Sequence, residues 1–256
     1  MHKYTFLSVT VALSLQACLA SAGTLLSEGF DAVPLQPFES PTEQGGDGTD
    51  WSPGLPAGWT MTFSGPQGNP IEFQGWRVMD VDSWIATEGD QDRSKWTNAG
   101  VGAHDSVLVA DPDAYDDATN IDDALFNTYI HTPTFDLGSL APSTVSISFD
   151  SFWRNEETQK GSLDVSFDGG ATFSNLMKYD SSQIEDGLVI DERLTLAVNN
   201  PGSGSLQFRF GLTEGSNDWW WAIDDVLITA DPVPEPSTFA LGALGIAGYA
   251  FLRRRK

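Results

Sequence analysis

Cysteine is all but missing. The one residue, Cys18, sits in the N-terminal apolar run, so no disulfide braces the remainder of the 256-residue chain. Histidine is nearly as scarce: beyond His2 only His104 and His131 remain. There is no His-Glu-x-x-His and no Gly-x-Ser-x-Gly. His104, Asp105 and Ser106 are neighbours in sequence, which is not how a catalytic triad is assembled. The Glu-x-Asp-x-x-Glu strand pattern that places a nucleophile and an acid/base on one face is missing too. These absences argue against an enzyme, although paired carboxylates among the 36 acidic residues leave a glycan hydrolase as an alternative. Basic residues number 13, and five of them (Lys3, Arg253, Arg254, Arg255 and Lys256) lie in the terminal segments. The body is therefore more acidic than the whole-chain charge of −23. Nucleic acid and anionic membrane surfaces would be repelled, whereas cations are favoured. Long amphipathic helices and internal repeats are also lacking.

What is present divides into three parts, residues 1–22, 23–230 and 231–256. Met1-His2-Lys3, the mostly apolar run Phe6 to Ala20, and Ala20-Ser21-Ala22 have the order of a secretory signal peptide, with its helix, cleaved after Ala22. Leu15-Gln16-Ala17-Cys18 loosely resembles a lipoprotein cleavage box, which leaves lipidation of Cys18 as an alternative. The body is long enough for one sizeable core.

The body reads as all-β. Trp219 to Ile228 packs three tryptophans against Asp224-Asp225 and then runs into branched apolar residues. Both of its alternating faces are largely apolar, as in a strand buried on both sides near the middle of a sheet. Leu25 to Asp31 and Ser106 to Ala110 read as further strands. From Ser143 onward the alternation is clean: Val145/Ile147/Phe149, Leu163/Val165/Phe167, Leu194/Leu196/Val198 and Leu206/Phe208/Phe210/Leu212. Asp168-Gly169-Gly170 marks a tight hairpin. Strands at this spacing with turn residues between them predict an antiparallel β-sandwich, a jelly roll.

The C-terminal part changes character abruptly. Pro234-Glu235-Pro236 precedes the apolar stretch Ser237 to Leu252 and then Arg253-Arg254-Arg255-Lys256. About 16 residues is slightly short of the ~20 of a comfortable membrane span, and the basic cluster would stay cytoplasmic. This order resembles the PEP-CTERM sorting signal of Gram-negative bacteria. The resemblance implies recognition by exosortase processing machinery through Pro234, Glu235, Pro236 and Arg253 to Arg255. It also implies a transient short transmembrane helix in the inner membrane, and delivery to the cell surface or an exopolysaccharide matrix. An ordinary C-terminal anchor helix gives the same topology without processing.

The body carries Glu28-Gly29-Phe30-Asp31, Leu55-Pro56-Ala57-Gly58-Trp59, Thr132 to Leu137, Val165 to Gly170 and Trp221 to Val226 in that order. The series is similar to choice-of-anchor J and MAM-like jelly-roll domains. That likeness implies a concanavalin-like or galactose-binding-like sandwich, frequently with calcium, in adhesive or carbohydrate-associated proteins. The disulfides of animal MAM domains are absent.

Candidate sites follow from charge and aromatics. First and last strands commonly lie side by side in jelly rolls, bringing Glu28 and Asp31 against Asp224 and Asp225. Hard cations take roughly six to eight oxygens, so a structural calcium ion is expected there. The plainer alternative is that Asp224 or Asp225 accepts backbone N–H groups or pairs with Arg209 or Arg154. Asp111, Asp113, Asp116 and Asp117 form a second acidic loop, calcium-binding or simply solvated, without the glycine and closing glutamate of an EF-hand. Asp80, Asp82, Asp90 and Asp92 make a third cluster, for which pairing with Arg77 or Arg93 is the plain account. Trp51, Trp59, Trp76, Trp84, Trp96, Trp219 and Trp220 are candidates for stacking on sugar rings, or else for core volume. The expected function is an exported, non-enzymatic binding or adhesion module associated with polysaccharide. A structural matrix or biofilm component with no specific ligand is the alternative.

Overall fold

The computed structural model describes residues 23–37, 50–65, 75–86, 91–97, 106–112, 125–137, 144–201, 204–216 and 218–230. They contain strands β1 (Gly23–Glu28), β2 (Gln36–Pro37), β3 (Asp50–Ser52), β4 (Thr60–Ser64), β5 (Arg77–Asp80), β6 (Ser106–Ala110) and β7 (Phe126–His131). Then follow β8 (Phe135–Asp136), β9 (Thr144–Arg154), β10 (Lys160–Ser166), β11 (Ser174–Asp180), β12 (Val189–Asn199), β13 (Ser205–Gly215) and β14 (Trp221–Ala230). A short helix, α1 (Val81–Ala86), and a 3-10 turn at Arg93–Lys95 accompany them. Among the described residues no helix is long and apolar enough to cross a membrane. The expected signal helix and C-terminal membrane helix lie outside those residues.

Alternation decides which faces meet. Leu206, Phe208, Phe210 and Leu212 on β13 are fully buried, while Gln207 and Arg209 between them are not. Among the described residues the strands form two antiparallel sheets. The larger has the order β12-β9-β14-β6-β5-β3-β2 with β1 added on β14, and the smaller β11-β10-β13-β7-β4 with β8 added on β13. Their inner faces close over one core, as a β-sandwich requires. Trp221 sits in it within 5.9 Å of Trp76, Trp153, Tyr179 and Phe210 by ring centroid. Its indole N–H donates to Ser151 Oγ at 3.0 Å, so the ring is buried without losing a hydrogen bond.

The closing strand occupies the place its composition predicts. β14 pairs with β9 along one edge. Along the other it pairs with β6 through Trp221–Ile223 and with β1 from Val226 onward. Asp224 and Asp225 mark the changeover. The register shifts between Asp224 and Leu227, and Asp225 takes a left-handed φ of 48°, the mark of a bulge.

A second apolar layer covers the outer face of the larger sheet. Trp84 from α1 and Trp96 after the 3-10 turn pack on Val107, Val109, Phe152, Trp220 and Ala222. Each buried indole removes roughly 150–250 Å² from water, about 4–6 kcal/mol at about 25 cal/mol per Å². The short helix has no room to bury its own face, and what holds it is this layer of rings together with Asp80, whose carboxylate accepts from Ser83 N at 2.7 Å.

Candidate ligand-binding face

The outer face of the smaller sheet has no such cover among the described residues. Its side chains come from the outward positions of strands whose inward positions fill the core: Tyr129 and His131 on β7, Gln207 and Arg209 on β13, Ser162 and Asp164 on β10. At its centre the Arg209 guanidinium lies 4.3 Å from the Tyr129 ring centroid and 4.0 Å from that of Phe173, which follows the Asp168-Gly169-Gly170 turn. Both rings are half-buried. Arg209 Nε donates to Asp164 Oδ2 at 2.8 Å, and Asn175 Nδ2 donates to the other oxygen at 2.9 Å, which fixes the guanidinium plane between the rings. Tyr129 lies across Gly211, where a Cβ would meet the ring at 2.6 Å, so a side chain there would lift the ring off the sheet.

Polar groups flank the stack. Gln207 Nε2 donates to Thr132 O at 2.9 Å, leaving its side-chain oxygen toward the turn. His131 meets the Phe173 ring edge-on at 5.6 Å. Burial, and secondarily the Arg209 charge, push its pKa below the ordinary 6.5, so the imidazole is neutral at pH 7. Asp168 accepts from Thr172 and Ser166 and is held at about 2. The result is an aromatic–guanidinium stack rimmed by neutral His131 and Gln207 and by the ionised Asp168.

Most tryptophans expected to stack on ligand are instead inside. Trp59, Trp76, Trp84, Trp96 and Trp220 are at most 7% exposed and serve as core volume, so they offer no face to a sugar. Trp51 and Trp219 are half-buried and carry cations on their rings, Arg77 at 5.0 Å and Arg154 at 3.8 Å. Tyr129, Phe173 and Arg209 were missed as a group. The alternation of Phe126/Thr128/Ile130 with Asn127/Tyr129/His131 signals an outward Tyr129 but nothing that joins it to Phe173 or Arg209.

The acidic expectations also change. β1 and β14 do lie side by side, with Glu28 opposite Val226. Yet among the described residues no group of three or more His, Cys, Asp or Glu is placed to hold a metal ion. Glu28, Asp31, Asp224 and Asp225 therefore do not form the expected ligand set. Glu28 accepts from Phe30 N at 2.9 Å, Asp31 from Ser106 N at 3.2 Å, and Asp224 from Asp225 N at 2.6 Å. The bulge shifts the register of β14 between Asp224 and Leu227, at the point where β1 begins to pair. Burial raises the Glu28 carboxyl above its ordinary value, with Asp31 adding to it.

The cation beside this region is Arg193, not Arg209 or Arg154. It pairs with Asp150 at 2.8 Å and reaches Asp225 at 4.0 Å. Arg154 instead lies 3.7 Å from Asp92, which also pairs with Lys95. Asp111 is buried and accepts from Arg93 at 2.9 Å. Asp113, Asp116 and Asp117 lie outside the described residues, as does the sorting segment.

That segment is decided by sequence. Residues 232–256 match the family described as the PEP-CTERM protein-sorting motif. The chain ends in a PEP-CTERM sorting signal. This motif is the recognition signal for exosortase processing, and it marks the chain as exported. No curated protein matches the sequence. Among solved structures, one similar chain is a cleaved adhesin domain of Lys-gingipain from Porphyromonas gingivalis, 12% identical, TM-score 0.41, covering 81% of this chain and 99% of that one. TmCBM61, solved with β-1,4-galactotriose, is 13% identical at TM-score 0.35, covering 67% and 88%. The Stig cyclase Fisc from Fischerella sp. TAU is 13% identical at TM-score 0.46, covering 83% and 100%. At these scores the likenesses say nothing of what the PEP-CTERM chain binds.

Proposed function

We propose that the body is a non-enzymatic binding module of the cell surface or its surrounding matrix, and that its ligand is a neutral polysaccharide held on the outer face of the smaller sheet. The observation that carries this reading is the half-buried Tyr129–Arg209–Phe173 stack rimmed by Gln207, Asn175 and neutral His131. Flat rings suit the apolar faces of pyranoses, through the same contact that makes aromatics anchors elsewhere. The rim suits hydroxyl groups. The net charge of −23 disfavours acidic glycans. Export through the PEP-CTERM signal is in keeping with a polysaccharide ligand, as is the likeness of the short body motifs to choice-of-anchor J and MAM-like domains.

Binding is favoured over hydrolysis by the carboxylates of this face. A glycosidase needs two, one of them with a raised pKa. Asp164 is paired to Arg209, and Asp168 is held at about 2. The raised carboxyls among the described residues, Glu28, Asp150 and Asp218, lie off this face. The test is a panel of neutral and acidic polysaccharides in affinity electrophoresis. Retardation by a neutral polymer, weakened in Tyr129→Ala and Phe173→Ala, is expected. No retardation by any neutral polymer, or retardation indifferent to both changes, rejects the reading.

A further inference from the structure

Away from that face, three connections converge at one end of the sandwich. They are residues 155–159 between β9 and β10, residues 181–188 between β11 and β12, and the approach to β14. Backbone hydrogen bonds tie them together. Arg154 N donates to Trp220 O at 3.1 Å, Gly187 N to Asn155 O at 3.0 Å, and Ser181 N to Gln159 O at 3.2 Å. Gln159 Nε2 donates to Arg154 O at 2.7 Å. Asn155 and Ser181 lie two residues beyond the inward Trp153 and Tyr179, Gln159 lies two residues before Gly161, and all three are buried, as continued alternation toward the gap between the sheets would have it.

What they bring there is unmatched. Asn155, Gln159 and Asp218 are fully buried, and Ser181 is 5% exposed. Among the described residues Asn155 Oδ1 and Nδ2, Gln159 Oε1, Ser181 Oγ and Asp218 Oδ1 have no hydrogen-bond partner. Buried polar atoms are rarely left so, and the four unmatched oxygens at this end of the sandwich call for a partner. Among the described residues Asp218 Oδ2 accepts from Ser216 N, at 2.7 Å. The charges that act on Asp218 are Glu157 and Asp186, both negative and both exposed at the rim. Burial first, and these two next, push its carboxyl up to about 7.

We propose that Asp218, Asn155, Gln159 and Ser181 form a binding site for a calcium ion. One carboxylate, two amide carbonyls and a hydroxyl are the hard oxygen ligands that calcium takes, with room in its flexible coordination for backbone carbonyls or water. The set holds no imidazole or thiolate, which argues against zinc or copper. Magnesium, which wants small, regular geometry and keeps its waters, suits a set drawn from separate connections less well. The ion neutralises Asp218 and clamps three connections in a chain whose body has no disulfide. The site is separate from the polysaccharide face, so either can fail without the other.

Trp219 and Trp220 adjoin Asp218, which makes terbium luminescence a direct readout. The full chain, stripped with chelator, is titrated with terbium under tryptophan excitation, then with calcium as competitor. Melting temperatures are recorded with calcium and with chelator. Sensitised emission displaced by calcium is expected, together with a calcium-dependent rise in melting temperature. Asp218→Asn should lower calcium affinity about tenfold or more, because ligand charge sets it, whereas Glu28→Gln and Asp31→Asn leave it unchanged. If Asp218→Asn does not fold, Asn155→Asp decides: it should melt lower in chelator and gain more from calcium than the parent chain. Emission and melting indifferent to calcium, or losses shared equally by Glu28→Gln, would overturn the site in favour of buried water or diffuse binding to acidic surface.

Discussion

Each outer sheet surface carries an arginine between two aromatic rings and paired to an aspartate. On the larger sheet Arg93 lies 4.9 Å from Trp84 and 5.2 Å from Trp220 and pairs with Asp111 at 2.9 Å. On the smaller one Arg209 lies between Tyr129 and Phe173 and pairs with Asp164 at 2.8 Å. The difference is cover. The Arg93 side chain is 2% exposed beneath α1 and its turn, whereas that of Arg209 is 25% exposed. One trio is a buried polar clamp inside a second core, and its rings are spent on packing. The other keeps ring surface for a partner. Residue type alone therefore does not distinguish an internal brace from a binding platform.

The sharpest way to break this contrast is to remove each arginine. Arg93→Met takes the cation from the buried Asp111 carboxylate and leaves it the Trp84 indole N–H at 3.5 Å. It also removes the donor at 2.8 Å to Trp84 O, and should cost about 3–5 kcal/mol in denaturant unfolding. Arg209→Met leaves Asp164 with Asn175 and nearby water, and should cost only about 1–2 kcal/mol. Equal losses would mean that the open face is as internal as the covered one.

A second contrast sets these neutralised carboxylates against Asp218, which no cation of the described residues offsets. In the unfolded chain Asp218 titrates near 3.8, and in the fold at about 7. Between those values the folded protein holds a proton that the unfolded chain has released. Its contribution to stability is complete below about pH 4 and lost as pH rises through 7. Glu28 and Asp150, also raised, act in the same direction, with Asp31, and with Asp225 and Asp191, as their negative neighbours. Asp168 and Asp180, lowered to about 2, act oppositely but only below pH 3.8. In chelator, melting temperature should fall between pH 4 and 7, and Asp218→Asn should flatten that fall. Calcium should flatten it as well in the parent chain and not in the variant.

The β architecture could be read from the sequence because period-two alternation is a local property. Val145/Ile147/Phe149 and Leu206/Phe208/Phe210/Leu212 announce their inward faces whatever surrounds them, and Trp219 to Ile228 announces a strand covered on both sides. Which tryptophans stay dry is not local. Trp84 and Trp96 sit in acid-rich sequence and look exposed until α1 folds onto the larger sheet. The pairing of β1 with β14 followed from topology, but the bulge at Asp225 did not, since one extra residue reverses every later side chain. Tyr129, Phe173 and Arg209 come from three separate stretches: the β7–β13 register sets Tyr129 near Arg209, and the connection between β10 and β11 brings Phe173 to them.

The smallest effect probes the platform itself. Phe173 follows a turn rather than lying on a strand, and it is half-buried with one face against Arg209. Phe173→Ala removes little core contact and should lower stability by at most about 1 kcal/mol. Lost ring stacking should weaken binding to a retarding polysaccharide by about 1 kcal/mol, roughly fivefold. Trp84→Ala should do the reverse, costing about 3–5 kcal/mol in unfolding and leaving affinity unchanged at temperatures where the variant is folded. If Phe173→Ala destabilises as much as Trp84→Ala, its ring is core rather than platform. If neither change touches affinity, the open face of the smaller sheet is ordinary solvated surface and the ligand lies elsewhere.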